Sequence, residues 1–400
     1  MEILNNDFNR EQILEKVGMI IDSFNSLFNE SLDKFIDEWE KQTKKKTKKL
    51  PGRHKELYDF EDELLSDYNI DKFYEYRDTI YEEWKISPKE ELGKVSASDF
   101  INNINDFDLL IEIFLLFAVK GDYDEPEFLL QKLYSFGDKA VDRILDFALD
   151  KSLLSYKDSE ENYLISLSSI KALGEWKEQK AITPLINFLL NLPDIISEVT
   201  NNENNCDEKS IHMNSQCNEI NKFDKHSNRE DCEDCEDYEN CGDCEEYEKD
   251  EMVDLFGEVI RDALVSIGEN AIRPLIDILT NTNEYGEPHE YLAMALADIG
   301  KDNRSDEIYR CLKKMFLKYD KDKKNITSDC LAVYGDGRAI PALRGYIEKN
   351  LDRIDEDIFY AVKIAIDKLG GNMDDIVFYK MDNDDDNDDG NDDDGDDYMR

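Results

Sequence analysis

The chain has 400 residues, of which 49 are Lys or Arg and 95 are Asp or Glu, so its formal net charge is −46. A field of this sign repels nucleic acid and anionic membranes, so we expect neither as a partner. Eight cysteines in a chain of this length do not suggest a disulfide framework. The longest apolar run, Leu109 to Val119, is too short to span a bilayer, and MEILNNDFNREQ lacks the apolar core of a secretion signal, so we expect a cytoplasmic protein.

Residues 1–100 are predicted to form a helical N-terminal cap. Apolar residues recur at helical spacing from Arg10 to Glu40, and the Tyr- and Phe-rich segment from Leu57 to Trp84 predicts two further helices. Ser98 is the predicted N-cap of the next helix. The open end of a helical stack would leave apolar surface in water, which is the reason to expect a cap.

A basic run interrupts this region between Lys41 and Lys55, with eight Lys or Arg residues. One interpretation is an anchor for a polyanion. No Phe, Tyr or Trp lies between the basic residues, and the rest of the chain is acidic. We therefore favour a solvated linker that neutralises acidic neighbours.

A helical hairpin recurs through residues 101–381. In DALVSIGENAIRPLIDIL, Asp262 to Leu279, one apolar helix ends at Gly268 and a second one opens on Pro274. The corresponding turn glycines of all the copies are Gly137, Gly174, Gly268, Gly300, Gly335 and Gly370. Their spacings are 37, 94, 32, 35 and 35 residues. A period in the mid-thirties with two helices per unit predicts an all-α fold, organised as an α-solenoid.

The repeated pattern A-L-G…A-I-x-P-L-I-x-x-L resembles the short HEAT repeats of the PBS-lyase type. The resemblance covers Asp124 to Met381 and is clearest around Gly174, Gly268 and Gly335. It implies a solenoid of HEAT-like hairpins. The family ranges from bilin lyases and a metal-dependent hydroxylase to protein-binding scaffolds, so the fold alone selects no activity.

Two acidic segments accompany the repeats. An insertion at residues 193–250 is rich in Asn, Asp and Glu and poor in apolar residues, which predicts a mostly disordered segment. A poly-Asp tail at residues 382–400 has the same character. The tail imitates the ligand spacing of an EF-hand loop at Asp385, Asn387, Asp389, Gly390 and Asp396. The terminal Glu is missing, so we expect weak cation condensation and no specific calcium site.

The insertion contains two C-x-x-C pairs, Cys232 with Cys235 and Cys241 with Cys244. Four thiolates can bind structural zinc or an iron–sulfur cluster, and a cation would offset the surrounding carboxylates. The alternative is an unligated acidic loop, since the five-residue gap between the pairs is shorter than in common zinc ribbons. Other candidate ligands are Cys206, Cys217, His212 and His226, whereas Cys311 and Cys330 are predicted to be core thiols on repeat helices.

His289-Glu290 opens the helix that leads to Gly300. In the family's hydroxylase, His-Glu pairs from four repeats hold a di-iron centre. The corresponding positions of the other repeats here are not His-Glu, and the chain has only four histidines. We therefore predict a helix-start role for this pair and no catalytic residues.

Together these features favour a non-enzymatic protein–protein interaction scaffold that presents a curved acidic surface to a basic protein partner and requires no cofactor. One alternative, which the resemblance suggests, is a bilin lyase-like or chaperone-like factor that acts on a cofactor-bearing protein. Another is a metal-binding accessory protein that uses the Cys232, Cys235, Cys241 and Cys244 cluster.

Overall fold

The computed structural model describes residues 9–43, 70–121, 126–154, 162–204, 242–282, 285–318 and 324–378, and these residues are mostly helical. The predicted all-α class is confirmed at this level. The chain divides into two compact units, Met1–Ala271 and Ile272–Arg400. Within the described ranges, no helix is long and apolar enough to cross a membrane.

The first unit has nine α-helices in the described ranges and one short antiparallel pair of strands. The helices are α1 (Arg10–Thr43), α2 (Ile70–Ile86), α3 (Ala97–Asn102), α4 (Phe107–Lys120), α5 (Glu127–Tyr134), α6 (Asp138–Ala148), α7 (Asn162–Glu175), α8 (Ile182–Asn204) and α9 (Gly242–Ile267). Strands β1 (Pro88–Lys89) and β2 (Val95–Ser96) form an antiparallel pair between α2 and α3.

The N-terminal helices pack around Trp84, which is 2% exposed at the end of α2. The ring of Phe24 in α1 lies 4.7 Å from the Trp84 ring, and the ring of Phe128 in α5 lies 6.3 Å from it. The Tyr81 hydroxyl accepts a hydrogen bond of 3.0 Å from the backbone N–H of Glu127. One aromatic cluster therefore joins α1 and α2 to the start of the hairpins.

The N-cap of α3 is Ser96, and the prediction of Ser98 was wrong. The Ser96 hydroxyl oxygen accepts a hydrogen bond of 3.0 Å from the backbone N–H of Asp99. The same hydroxyl donates to the Asp99 carboxylate at 2.9 Å. The β2 strand ends at Ser96, so its backbone is extended and its side chain faces the first free N–H groups of the helix.

Helix α7 lies at the centre of the hairpins of the first unit, where it packs against α4, α6 and α9. Two of its buried serines have hydrogen-bond partners. The Ser166 hydroxyl donates to the Ala148 carbonyl at 2.8 Å, and the Ser169 hydroxyl donates to the Ile165 carbonyl at 2.7 Å. A buried serine with a satisfied hydroxyl allows neighbouring helices to approach closely at little cost.

The helices on either side of the predicted insertion extend further than expected. Residues 193–204 belong to α8 and residues 242–250 belong to α9, while residues 205–241 lie outside the described ranges. The reason is that the apolar stripe continues past Pro193, with Ile195 and Ile196 3% and 4% exposed. Helices α8 and α9 pack against each other.

The second unit has six described helices: α10 (Ile272–Asn281), α11 (Pro288–Asp302), α12 (Asp306–Lys318), α13 (Lys324–Tyr334), α14 (Ile340–Asn350) and α15 (Glu356–Lys368). We call α11, α13 and α15 first helices, and α10, α12 and α14 second helices. First helices pack in series, α11 on α13 and α13 on α15. Each second helix also packs against the first helix that follows it in the chain.

Tyr334 joins two hairpins of the second unit. Its side chain is fully buried, and its hydroxyl donates to the Ser305 carbonyl at 2.8 Å and accepts from the Ser305 N–H at 2.9 Å. One phenol thus satisfies both backbone groups of a residue just before α12. Because unsatisfied buried polar groups are costly, this pair fixes how α13 sits against the α11–α12 turn.

Ion pairs connect the starts of successive second helices in this unit. Arg273 in α10 lies 3.6 Å from Glu307 in α12, measured from Nη1 to Oε2. Arg338, just before α14, donates to Asp306 at 2.7 Å. These side chains are more than half exposed, so the ion pairs contribute little to the free energy of unfolding. They do show which residues of neighbouring second helices lie side by side.

The predicted turn glycines divide into two kinds. Four have a positive φ, namely Gly137, Gly268, Gly335 and Gly370. Gly137, with a ψ of −139°, is the N-cap of α6 and does not adopt the left-handed helical conformation. Gly174 and Gly300 instead lie inside helices, where a Cβ would be 2.8 Å from the Ala263 Cα and 3.0 Å from the Tyr334 ring, respectively. After α7 the left-handed position is taken by Lys177, whose φ is 54°. Close helix packing, and not turn formation, explains these two glycines.

Candidate binding groove on helix α8

An open groove of about 430 Å³ lies on α8 in the first unit. Two of the residues that line it follow α6, namely Leu149 and Lys151. The other seven belong to α8: Pro184, Asn187, Phe188, Asn191, Asp194, Ile195 and Glu198. The groove therefore runs along one helix and has one wall from the preceding hairpin.

A polar stripe follows the groove at helical spacing. Asn187, Asn191, Asp194 and Glu198 occupy positions i, i+4, i+7 and i+11, and all four are exposed. Positions spaced in this way lie on one face of a helix. The opposite face carries the fully buried Leu185, Leu189 and Leu192. The apolar stripe fixes α8 on the core, and the polar stripe is consequently held towards solvent.

Apolar side chains form the floor between the polar positions. Phe188 and Ile195 line the groove but are only 6% and 3% exposed. The Phe188 ring lies 5.9 Å from the Phe256 ring of α9. This contact with the next helix holds the floor in place, so the groove has a rigid apolar base and polar edges.

The lining carries two carboxylates, Asp194 and Glu198, and one ammonium group, Lys151. A second lysine, Lys180, precedes α8 but is engaged elsewhere: it donates to Asp138 at 2.7 Å. This hydrogen bond is the main reason that the pKa of Lys180 is raised. The net charge of the lining is negative, in a chain whose total charge is −46.

The side chains of Asn187 and Asn191 offer carboxamide groups at the groove. Asn191 donates one hydrogen bond of 2.6 Å from Nδ2 to the carbonyl of Asn187, which leaves its Oδ1 and its second amide hydrogen for other partners. Among the described residues, none hydrogen-bonds to the Asn187 carboxamide. A carboxamide offers one acceptor and two donors, which match the N–H and C=O of a peptide group.

Three of the four predicted metal ligands, Cys232, Cys235 and Cys241, lie outside the described residues, as do Cys206, Cys217, His212 and His226. Cys244 belongs by its backbone to the first turn of α9. No group of three or more His, Cys, Asp or Glu residues suited to a metal ion occurs in the described part of the chain. The zinc or iron–sulfur prediction therefore stays a prediction. The EF-hand-like positions of the tail, from Asp385 to Asp396, also lie outside the described residues.

The remaining predicted residues occupy structural positions in the second unit. Cys311 and Cys330 are buried thiols, 5% and 3% exposed, so their assignment to the core is confirmed. Burial raises the pKa of Cys311. His289 and Glu290 lie in the first turn of α11, as predicted.

The His289 ring contacts polar groups through both of its nitrogens in the α10–α11 turn. The backbone N–H of Gly286 donates to its Nδ1 at 3.1 Å, and its Nε2 lies 3.3 Å from the Thr282 hydroxyl. Burial lowers the pKa of His289. Nδ1 also lies 3.3 Å from the Gly286 carbonyl oxygen, so the tautomer of the ring decides which nitrogen donates. The ring therefore closes the turn between α10 and α11.

The groove itself was not among the predicted sites, although its signal is present in the sequence. The spacing of Asn187, Asn191, Asp194 and Glu198 is visible there, but an insertion that begins at Pro193 cuts the stripe in two. The composition of residues 193–250, poor in apolar residues and rich in Asn, Asp and Glu, predicts a mostly disordered segment there instead of a continuing helix. No protein-family model, curated protein or solved structure matches this chain.

Proposed function

We propose that this protein is a non-enzymatic interaction scaffold, built as a solenoid of HEAT-like hairpins, that presents an acidic surface to a basic protein partner. The observation that carries the proposal is the α8 groove, an apolar floor edged by Asp194 and Glu198 in a chain of net charge −46. Grooves with an apolar base and a few placed polar groups are the usual form of ligand sites.

The serial packing of helices within each unit supports the solenoid part of the proposal. In the second unit, first helices stack on first helices, and second helices fill the space between them. Stacked hairpins of this kind leave one row of helices to form an extended surface for partners. In the first unit, α8 is a second helix of this type and carries the groove.

The charge supports the choice of partner. An acidic field accelerates the encounter with a basic surface and disfavours acidic ones such as nucleic acid. The attraction between exposed charges weakens as salt shortens the Debye length, from ~10 Å at 0.1 M to ~3 Å at 1 M. Binding of a basic partner should therefore fall steeply between these two salt concentrations.

The test is affinity capture from native cells with the full-length chain as bait, at about 0.1 M and about 1 M salt, near the limits of strong and weak screening. The groove variant is Asp194→Asn with Glu198→Gln. The matched control is Glu258→Gln with Asp262→Asn, which removes the same charge from exposed positions of α9 in the same unit. We expect basic proteins at low salt with the wild type and the control, and reduced recovery with the groove variant. Captured proteins that are not basic, or recovery that is insensitive to salt, would refute the proposal.

A further inference from the structure

We propose that the α8 groove binds its partner as an extended segment, through the main chain at Asn187 and Asn191 and through an Arg or Lys side chain at Asp194 and Glu198. This inference rests on the proposed function and deepens it, because it specifies the conformation and the chemistry of what is bound. The alternatives are a helical segment laid along α8, or attraction of positive charge with no defined pose.

The length of the stripe fits a short extended segment. From Asn187 to Glu198 the helix advances eleven residues, which is about 16 Å at 1.5 Å per residue. An extended chain rises ~3.3 Å per residue, so about five residues cover the stripe. Asn187 and Asn191 are one helical turn apart, about 6 Å, close to the ~6.7 Å that separates alternate residues of an extended chain.

The hydrogen-bonding groups that Asn187 and Asn191 leave free among the described residues favour the main chain of the partner as the group bound at this end of the groove. In the described part of the chain the Asn187 carboxamide has no partner, and Asn191 uses only one donor, on a backbone carbonyl. Each carboxamide can donate to a peptide C=O and accept from a peptide N–H. Alternate residues of an extended segment present these groups to the same side, whereas a helical segment has already used them internally.

The carboxylates define the side chain at the other end. Asp194 is one turn from Asn191, and Glu198 is one turn further, so a cation between them meets two acceptors. The stem of a long basic side chain can cover the apolar surface of Ile195 while its charged end reaches the carboxylates. Arg is preferred to Lys at a site with two acceptors, because its guanidinium offers several donors in a plane.

The experiment compares two peptides of equal charge on the full-length protein. The probe is acetylated, amidated Ala-Leu-Arg-Leu-Ala with a fluorescent label, and its counterpart carries N-methyl groups on two alternate residues, which removes two N–H donors. Fluorescence anisotropy gives the affinity of each. N-methylation should weaken binding to the wild type at least tenfold, ~1.4 kcal/mol. It should have no effect on Asn187→Ala with Asn191→Ala, where the acceptors are already missing.

The second part of the experiment tests the two carboxylates of the groove with the variants already described. Asp194→Asn with Glu198→Gln should weaken both peptides at least tenfold, whereas Glu258→Gln with Asp262→Asn should change neither by more than about twofold. Equal binding of the plain and N-methylated peptides would refute main-chain recognition. Equal binding to the groove variant and its control would place the peptide elsewhere. Neither result would contradict the proposal that the protein binds a basic partner. That proposal is tested by the salt dependence of the capture experiment.

Discussion

The Gly174→Ala substitution tests whether α7 and α9 pack so closely that only glycine fits at position 174. An added Cβ would lie 2.8 Å from the Ala263 Cα and 3.0 Å from the Ala263 Cβ. The nearer atom belongs to the backbone, so rotation of a side chain cannot relieve the overlap and the two helices must separate. Overpacking of this kind costs roughly 1–3 kcal/mol. Replacing a helical Gly by Ala otherwise gains about 0.5–1 kcal/mol, so the net loss ranges over about 0–2.5 kcal/mol and we expect a value of ~1 kcal/mol.

The measurement is urea unfolding followed by far-UV circular dichroism. With a slope of about 2 kcal/mol per M urea, the midpoint should fall by roughly 0.5 M. The matched control is Gly345→Ala in α14, where nothing lies within 4 Å of the added Cβ. This control should keep or raise the midpoint. Adding Ala263→Gly to Gly174→Ala should restore only part of the loss, since the Ala263 Cα remains. A midpoint at or above that of the wild type for Gly174→Ala would refute the close contact.

Three further predictions concern stability. Tyr334→Phe removes both hydrogen bonds to Ser305 and should cost about 1–3 kcal/mol in chemical unfolding; an unchanged midpoint would contradict the pairing. Ser96→Ala should cost about 0.5–2 kcal/mol, whereas Ser98→Ala should be nearly neutral, and the reverse order would show that the cap is misassigned. Because the pKa of His289 is lowered in the folded state, the unfolded chain takes up this proton first as the pH falls below about 6.5. The free energy of unfolding should therefore be constant above about pH 6.5 with respect to this group, and should decrease between that pH and the lower folded-state pKa of His289. The His289→Gln variant should show a smaller decrease over the same range in chemical unfolding. An equal decrease in both proteins would contradict this prediction.

The hairpins could be predicted from the sequence because their signals are local. Apolar spacing and the glycines at positions such as Gly268 and Gly335 depend on residues a few positions apart, and both glycines begin left-handed turns. The role of Gly174 could not be predicted in the same way, because the atom that it must accommodate belongs to Ala263, which is 89 residues away in the chain. Contacts of this kind become visible only when the helices are placed side by side.

The α8 groove could be predicted from the sequence only in part. Its polar stripe is a local pattern that can be read in the sequence, but the polar composition of residues 193–250 predicts disorder for the second half of the stripe. The buried Leu192 and Ile196 on either side of Pro193 show that burial of an apolar face outweighs the hydrogen bond that a proline removes. The wall formed by Leu149 and Lys151 belongs to an earlier hairpin, so the sequence alone could not have brought it to α8.

The alternating charges at the starts of the second helices have a consequence for how the number of hairpins can change. Along the second unit the sign runs from basic at Arg273 to acidic at Asp306 and Glu307, and back to basic at Arg338. Excising the α11–α12 hairpin would bring Arg273 beside Arg338, whereas duplicating two hairpins together would preserve the alternation. Gains and losses in twos therefore keep neighbouring charges opposite in sign at this edge, whereas a single loss exchanges an attractive exposed pair, worth at most ~1 kcal/mol, for a like-charge contact.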